Sequence, residues 1–136
     1  MPKVICIVDD QPVLRQMLRF ALNFQGVDVI EAVNGADALD KITTQHVDML
    51  IVDWQMPVMD GLELVRRLRK NAAHADLPVL VVSCRDDLSA RKEACSLGVM
   101  TWLKKPFRIS EVQAVVEHTL ELSDQDLVPK AVEGFC

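Results

Sequence analysis

The 136 residues carry 15 Lys and Arg against 20 Asp and Glu, a net charge of -5, and half of them are apolar. That length fits one domain with a proper core, and the mixture of charged and apolar residues excludes a disordered chain. The acidic balance disfavours direct nucleic-acid binding, and apolar runs of four or five residues are too short to span a membrane. Met1-Pro2-Lys3 enters the first strand without a signal-peptide pattern, which points to the cytoplasm. The four cysteines form no CxxC pair, so neither a zinc site nor a redox dithiol is suggested. Cys6 and Cys95 read as small apolar filler, Cys84 has a second reading as a reactive thiol near Ser83, and Cys136 ends the chain.

Strand and helix patterns then alternate five times. The first apolar run, Val4-Ile5-Cys6-Ile7-Val8, ends at Asp9-Asp10. Pro12 suits a first helical turn that Asp10 would cap, and Leu14, Met17, Leu18 and Ala21 form an apolar stripe with Arg15, Gln16, Arg19 and Asn23 outside. Gly26 ends that helix. Val27 to Ala32 reads as a second strand whose Asp28 and Glu31 mark an edge position. Asn34-Gly35 reads as a turn before a short helix built on Ala36, Leu39 and Ile42. The third run, Met49-Leu50-Ile51-Val52, ends at Asp53, and a loop marked by Pro57 and Asp60-Gly61 leads to a helix on Leu62, Val65 and Leu68. Pro78 opens the fourth strand, which ends at Ser83, and a charged helix with a sparse Ala90, Ala94 and Leu97 stripe stops at Gly98. The fifth strand ends at Lys105-Pro106, and Ile109, Val112, Val116 and Leu120 pack a last helix with Ser110 as its expected cap. The expected organisation is a domain over residues 1–122 and a short, irregular, frayed tail over 123–136.

Short apolar runs rich in Val and Ile read as buried parallel strands, and βα repeats imply right-handed crossovers with helices on both faces. Residues just past the strand ends therefore gather at one edge, where open α/β sheets bind ligands. Asp9, Asp10, Asp53, Ser83 and Lys105 all stand there. Each has an ordinary reading alone: an N-cap for the Asp pair, a loop cap for Asp53, a helix cap for Ser83, a solvated lysine for Lys105. Those readings leave the coincidence at four strand ends unexplained. Three gathered carboxylates repel unless a cation lies between them, and oxygen ligands favour Mg²⁺ with waters and a phosphate. Trp102 in a strand reads as core or half-buried surface, and Trp54 as a loop aromatic over the sheet end. His46, His74 and His118 are isolated on surface segments.

From Lys3 to about Leu122 the chain resembles the receiver domains of two-component response regulators. The matching pieces are Val8-Asp9-Asp10, Val52-Asp53, Met56-Pro57, Met59-Asp60-Gly61-Leu62, Val82-Ser83 and Lys104-Lys105-Pro106-Phe107. The resemblance implies a flavodoxin-like doubly wound five-stranded parallel sheet in the order 2-1-3-4-5 with five helices. It makes Asp53 the carboxylate that accepts a phosphoryl group from a phosphohistidine. Asp10 and Asp53 would ligate Mg²⁺ (or Mn²⁺) directly, Asp9 through water, and Gln55 through its backbone carbonyl. Ser83 would donate to the phosphoryl group, Lys105 would pair with it, and the Lys105-Pro106 peptide would be cis. Trp102 matches the aromatic switch position, usually Tyr or Phe, and Gln55 and Arg85 stand where phosphoryl lifetime is tuned. The implied partners are a histidine kinase or phosphotransfer protein, and a downstream protein on the face of the fourth helix, fifth strand and fifth helix.

The Trp at the switch position leans toward chemotaxis-type stand-alone regulators. Three other readings compete: the receiver half of a larger regulator, an Asp-nucleophile phosphohydrolase, and a flavin or nucleotide binder on the same fold. A hydrolase of the Asp-x-Asp type needs an acid/base carboxylate where Gln55 stands, and Gln does no such work. No glycine-rich phosphate loop follows the first strand.

Overall fold

The computed structural model describes residues 1–130. Five strands, β1 (Lys3–Val8), β2 (Val27–Ala32), β3 (Met49–Val52), β4 (Val79–Ser83) and β5 (Thr101–Lys104), alternate with helices α1 (Pro12–Ala21), α2 (Gly35–Thr44), α3 (Gly61–Arg69), α4 (Leu88–Ser96) and α5 (Ile109–Leu120). The strands pair in parallel in the order β2-β1-β3-β4-β5, the order the resemblance implies. β2, with Asp28 and Glu31, is an edge strand as its charges indicate.

Period-two alternation divides the buried side chains between two faces. Ile5, Ile7, Met49, Ile51, Leu80 and Val82 meet Leu18 and Ala21 of α1 and Val112 and Val116 of α5. Cys6, Val8, Leu50, Val52, Val79 and Val81 face α2, α3 and α4. Each fully buried Leu or Ile stabilises the fold by about 1.5–3 kcal/mol. β1 and β3 are buried on both sides along most of their length, which is why their sequences read as unbroken apolar runs.

Several local expectations are corrected. Gln11, not Asp10, precedes α1, with no side-chain cap; Pro12 is the first helical residue, where its missing N–H costs nothing. Asn34-Gly35 is a helix start rather than a free turn, since Asn34 Oδ1 accepts the Asp37 N–H at 2.8 Å. Ala38 and Ile42 are the buried face of α2 and Ala36 is exposed. Asp87 caps α4 in place of Ser83. At α5 the Glu111 carboxylate accepts the Arg108 N–H, and Ser110 caps nothing. Cys95 is exposed and fills no core.

Residues 123–130 contain no helix or strand, yet they are not frayed. They strap the loop between α1 and β2: Gln25 N–H donates to the Val128 carbonyl and Gly26 N–H to the Asp126 carbonyl, both at 2.8 Å. Lys130 Nζ reaches the Val27 carbonyl at 2.7 Å. A Cβ on Gly26 would lie 2.3 Å from Asp126 Cβ, so the close approach requires glycine. Periodicity cannot find such a segment, because backbone groups rather than an apolar stripe hold it. Cys136 lies outside the described residues.

Candidate functional site

The parallel strands deliver Asp9, Asp53, Ser83 and Lys105 to one end of the sheet. Asp53 follows β3, with its N–H held by the Val8 carbonyl at 3.0 Å. Its Oδ1 accepts the Gln55 N–H at 3.1 Å and its Oδ2 accepts Lys105 Nζ at 3.0 Å. Asp9 is almost wholly buried; its Oδ1 accepts the Gln11 N–H and its Oδ2 accepts the same Lys105 Nζ, both at 2.9 Å. Asp10 is exposed at the rim of this cluster. Ligand oxygens of Asp9, Asp10 and Asp53 lie within 4.8 Å of one another.

One ammonium thus bridges two buried carboxylates. Burial pushes the Asp9 carboxyl above its usual range, against the pull of the Gln11 N–H and Lys105. Burial alone would lower the Lys105 ammonium, but its bonds to Asp9 and Asp53 outweigh that and raise it. Three carboxylates against one ammonium leave an anionic pocket with oxygen donors only and an open side at Asp10. That donor set suits a hard divalent cation that keeps part of its water shell.

Ser83 is fully buried at the end of β4; its Oγ accepts the Arg85 N–H at 3.2 Å, which leaves the hydroxyl proton for another acceptor. The Lys105-Pro106 peptide is cis, and Lys105 N–H donates to the Ser83 carbonyl at 2.9 Å. The two positions expected to tune lifetime sit differently from the acids. Gln55 reaches Asp53 through its backbone N–H while its side chain is exposed, and the Arg85 guanidinium pairs with Asp87 instead of pointing at Asp53.

Trp54, directly after Asp53, is buried rather than draped over the sheet end, and its Nε1 has no hydrogen-bond partner among the described residues. Trp102 is half-buried: its ring meets Trp54 edge-on at 5.6 Å, and its Nε1 donates to the Arg85 carbonyl at 2.9 Å. The indole is therefore already turned in toward the loop that follows Ser83. Glycine permits the loop after Asp53 to close, since a Cβ on Gly61 would lie 2.5 Å from the Asp53 carbonyl oxygen.

One residue at the site escaped sequence reasoning. Arg15, expected on the outer face of α1, has a side chain only 14 % exposed. Its Nη1 donates to the Asp9 carbonyl at 2.6 Å and its Nε to Glu31 Oε1 at 3.1 Å. The available signal was Glu31, an acid in a half-buried strand that needs a cation within reach. A cleft of about 310 Å³ opens beside Lys105, lined by Leu14, Met17, Cys84 and Phe107 among others, which puts the exposed Cys84 thiol next to the site. A larger groove of about 550 Å³ lies by Arg69, Leu77 and Gly98, at the opposite end of the sheet and away from this chemistry.

Residues 5–117 match the family model described as the response regulator receiver domain. The response regulator MprA of Mycobacterium sp. (strain KMS) is 38% identical over 129 residues, covering 95% of this chain and 55% of that protein. MprA of Mycobacterium avium (strain 104) is 41% identical over 110 residues, which cover 81% of this chain and 47% of that protein. The chain spans about half the length of these curated relatives. Among solved structures, chemotaxis protein CheY4 of Vibrio cholerae aligns with TM-score 0.81 and 28% identity over 88% of this chain and 99% of its own. A putative response regulator from Chloroflexus aurantiacus aligns with TM-score 0.82 and 32% identity over 90% of this chain and 100% of its own.

Proposed function

The chain belongs to the response regulator receiver domains, and from that premise we propose that it is a phosphorylation switch in which Asp53 accepts a phosphoryl group from a phosphohistidine. The observation that supports the assignment is the shared bond of Lys105 Nζ to Asp9 and Asp53, which puts a cation on the buried carboxylate just past β3. Asp53 attacks phosphorus, the new P–O bond replaces the P–N bond, and the imidazole leaves. The obstacle is repulsion between a carboxylate and an anionic phosphoryl group, and Lys105 supplies positive charge where that repulsion is greatest.

Asp9, Asp10 and Asp53, with the Gln55 carbonyl, would hold Mg²⁺ or Mn²⁺. When bound, such an ion supplies further charge neutralisation and orientation for the transferring group. Lys105 would then exchange part of its contact with the acids for the phosphoryl oxygens, and Ser83 would donate its free hydroxyl proton to another of them. The same chemistry permits slow self-phosphorylation from a small phosphodonor and slow hydrolysis. Gln55 offers no acid or base for rapid turnover, which argues against a hydrolase.

The output follows the hydrogen bonds outward. Ser83 Oγ holds the Arg85 N–H, and the Arg85 carbonyl holds the Trp102 indole. A Ser83 hydroxyl drawn toward phospho-Asp53 loosens its hold on Arg85, and the indole follows or lets go. The face of α4, β5 and α5 then changes its preference for a protein target. The functional unit is residues 1–122, with 123–130 as its strap. Incubation with acetyl phosphate and Mg²⁺ should add one phosphoryl mass to the intact protein. Persistence of that mass in Asp53→Ala sinks the assignment.

A further inference from the structure

Arg15 stands behind the acidic pocket and touches none of its carboxylate oxygens. It holds the main-chain carbonyl of Asp9 at 2.6 Å, from below the turn that presents Asp9 and Asp10. A second anchor fixes the guanidinium: Nε bonds Glu31 on the edge strand at 3.1 Å, and Glu31 also takes Arg19 Nε at 2.8 Å. The Asp9 N–H is in turn held by the Ala32 carbonyl, one residue beyond Glu31, at 3.2 Å. Both backbone groups of Asp9 are therefore tied, one to β2 directly and one to β2 through Arg15. Among the described residues Asp10 has no such tie of its own, and its direction depends on the peptide that Asp9 begins.

From this geometry we infer that Arg15 is a positioning residue for divalent-cation binding, fixing the Asp9-Asp10 turn so that its carboxylates face Asp53. The inference rests on the reading of these acids as a Mg²⁺ site. Charge and position make opposite demands here, which makes the idea testable. A cation near three carboxylates weakens Mg²⁺ binding by repulsion, so on charge alone its removal tightens the site. The ion pair with Glu31 cancels much of that charge and leaves the positional effect dominant. Groups that orient metal ligands from behind carry about 10–100-fold in affinity.

Mg²⁺ affinity is measured by calorimetry on the wild-type chain, Arg15→Met and Arg19→Met. Thermal midpoints in EDTA are recorded beside them. Arg19 shares the helix and the Glu31 partner, and no bond links it to Asp9, so it controls for charge and helix stability. The expected result is about tenfold weaker binding in Arg15→Met and a change under about twofold in Arg19→Met. Equal losses in both variants, an unchanged Arg15→Met, or tighter binding in it overturns the inference. If Arg15→Met does not fold, Arg15→Lys carries the test, because one ammonium cannot hold the Asp9 carbonyl and Glu31 in the same geometry. Wild-type affinity in Arg15→Lys then overturns the inference. Absence of Mg²⁺ binding by the wild-type chain removes the metal site and this role together, whereas normal binding with an indifferent Arg15 removes only the role.

Discussion

α3 and α4 have nine residues each, cover the same face of the sheet and begin with the same device, an Asp whose side chain accepts an N–H three residues on. What they bury differs. α3 sinks Leu64, Val65 and Leu68 into the core, whereas α4 buries only Ala90 and Ala94. An alanine offers little apolar surface to lose, so α4 is held by its rim: Arg91 over the Trp102 ring at 6.0 Å, Arg91 paired with Asp86, and Glu93 facing Arg66 at 3.9 Å. Partly exposed ion pairs contribute about 0–1 kcal/mol each. The helix next to the loop after Asp53 is thus fixed, and the helix next to Trp102 is easy to displace. The chain thus separates a firmly held element from a loosely held one, the division that the proposed switch would use.

The largest expected contrast is chemical. Cys95 lies exposed on α4, whereas Cys6 lies in the core against which both helices pack. Burial pushes the Cys6 thiol from 9.0 up to about 12. Native alkylation at pH 8 should therefore label Cys95 quickly and Cys6 slower by about three orders of magnitude or more. The same shift fixes a pH window. Below pH 9 the thiol is neutral in both states and its contribution is complete. Between 9.0 and about 12 the unfolded thiol loses its proton and the folded one keeps it, so stability falls as pH rises. Rapid native labelling of Cys6, read by peptide mass mapping, would break the picture of a closed core.

Leu64→Ala should cost about 3 kcal/mol in chemical denaturation, from lost transfer energy and the cavity left behind. Ala94→Gly, its counterpart on α4, should cost about 1 kcal/mol, mostly through helix propensity. Comparable losses would mean that α4 is anchored by more than its rim. Val58 sharpens the α3 side. A β-branched residue at φ 70, largely exposed, it lies in the loop that delivers α3. Glycine relieves that backbone, so Val58→Gly should stabilise the protein by about 1 kcal/mol in the same assay. Arg91→Ala is the smallest, about 0.5–1 kcal/mol for the cation–π contact. Its effect should appear as faster hydrogen exchange in α4 with α3 unchanged.

The contrast was half legible beforehand. The sparse Ala90, Ala94 and Leu97 stripe already marked α4 as lightly packed, and the sheet order followed from the family resemblance. The acidic pair, Asp53, Ser83 and Lys105 were legible because strand ends converge wherever strands run parallel. Arg15 was not, because helical spacing alone assigns a charged residue to solvent and says nothing of a carbonyl beneath it. Gln55 and Arg85 were legible as positions but not in their side-chain orientation. Asp87, two residues past Arg85, draws the guanidinium sideways, and local ion pairs of this kind are invisible to a motif. The strap over 123–130 was missed for the related reason that hydrogen bonds between backbone groups leave no trace in composition.

That strap also bears on the order in which the chain is made. Gln25 and Gly26 belong to the first loop of the sheet, yet the carbonyls that satisfy them come from Val128 and Asp126. At roughly 5–20 residues per second, their acceptors emerge on the order of ten seconds later. Until then the start of the edge strand must leave those donors to water. During synthesis, the first half of the sheet is finished by nearly the last residues described, so β2 stays unsealed while the pocket-bearing strands assemble beside it.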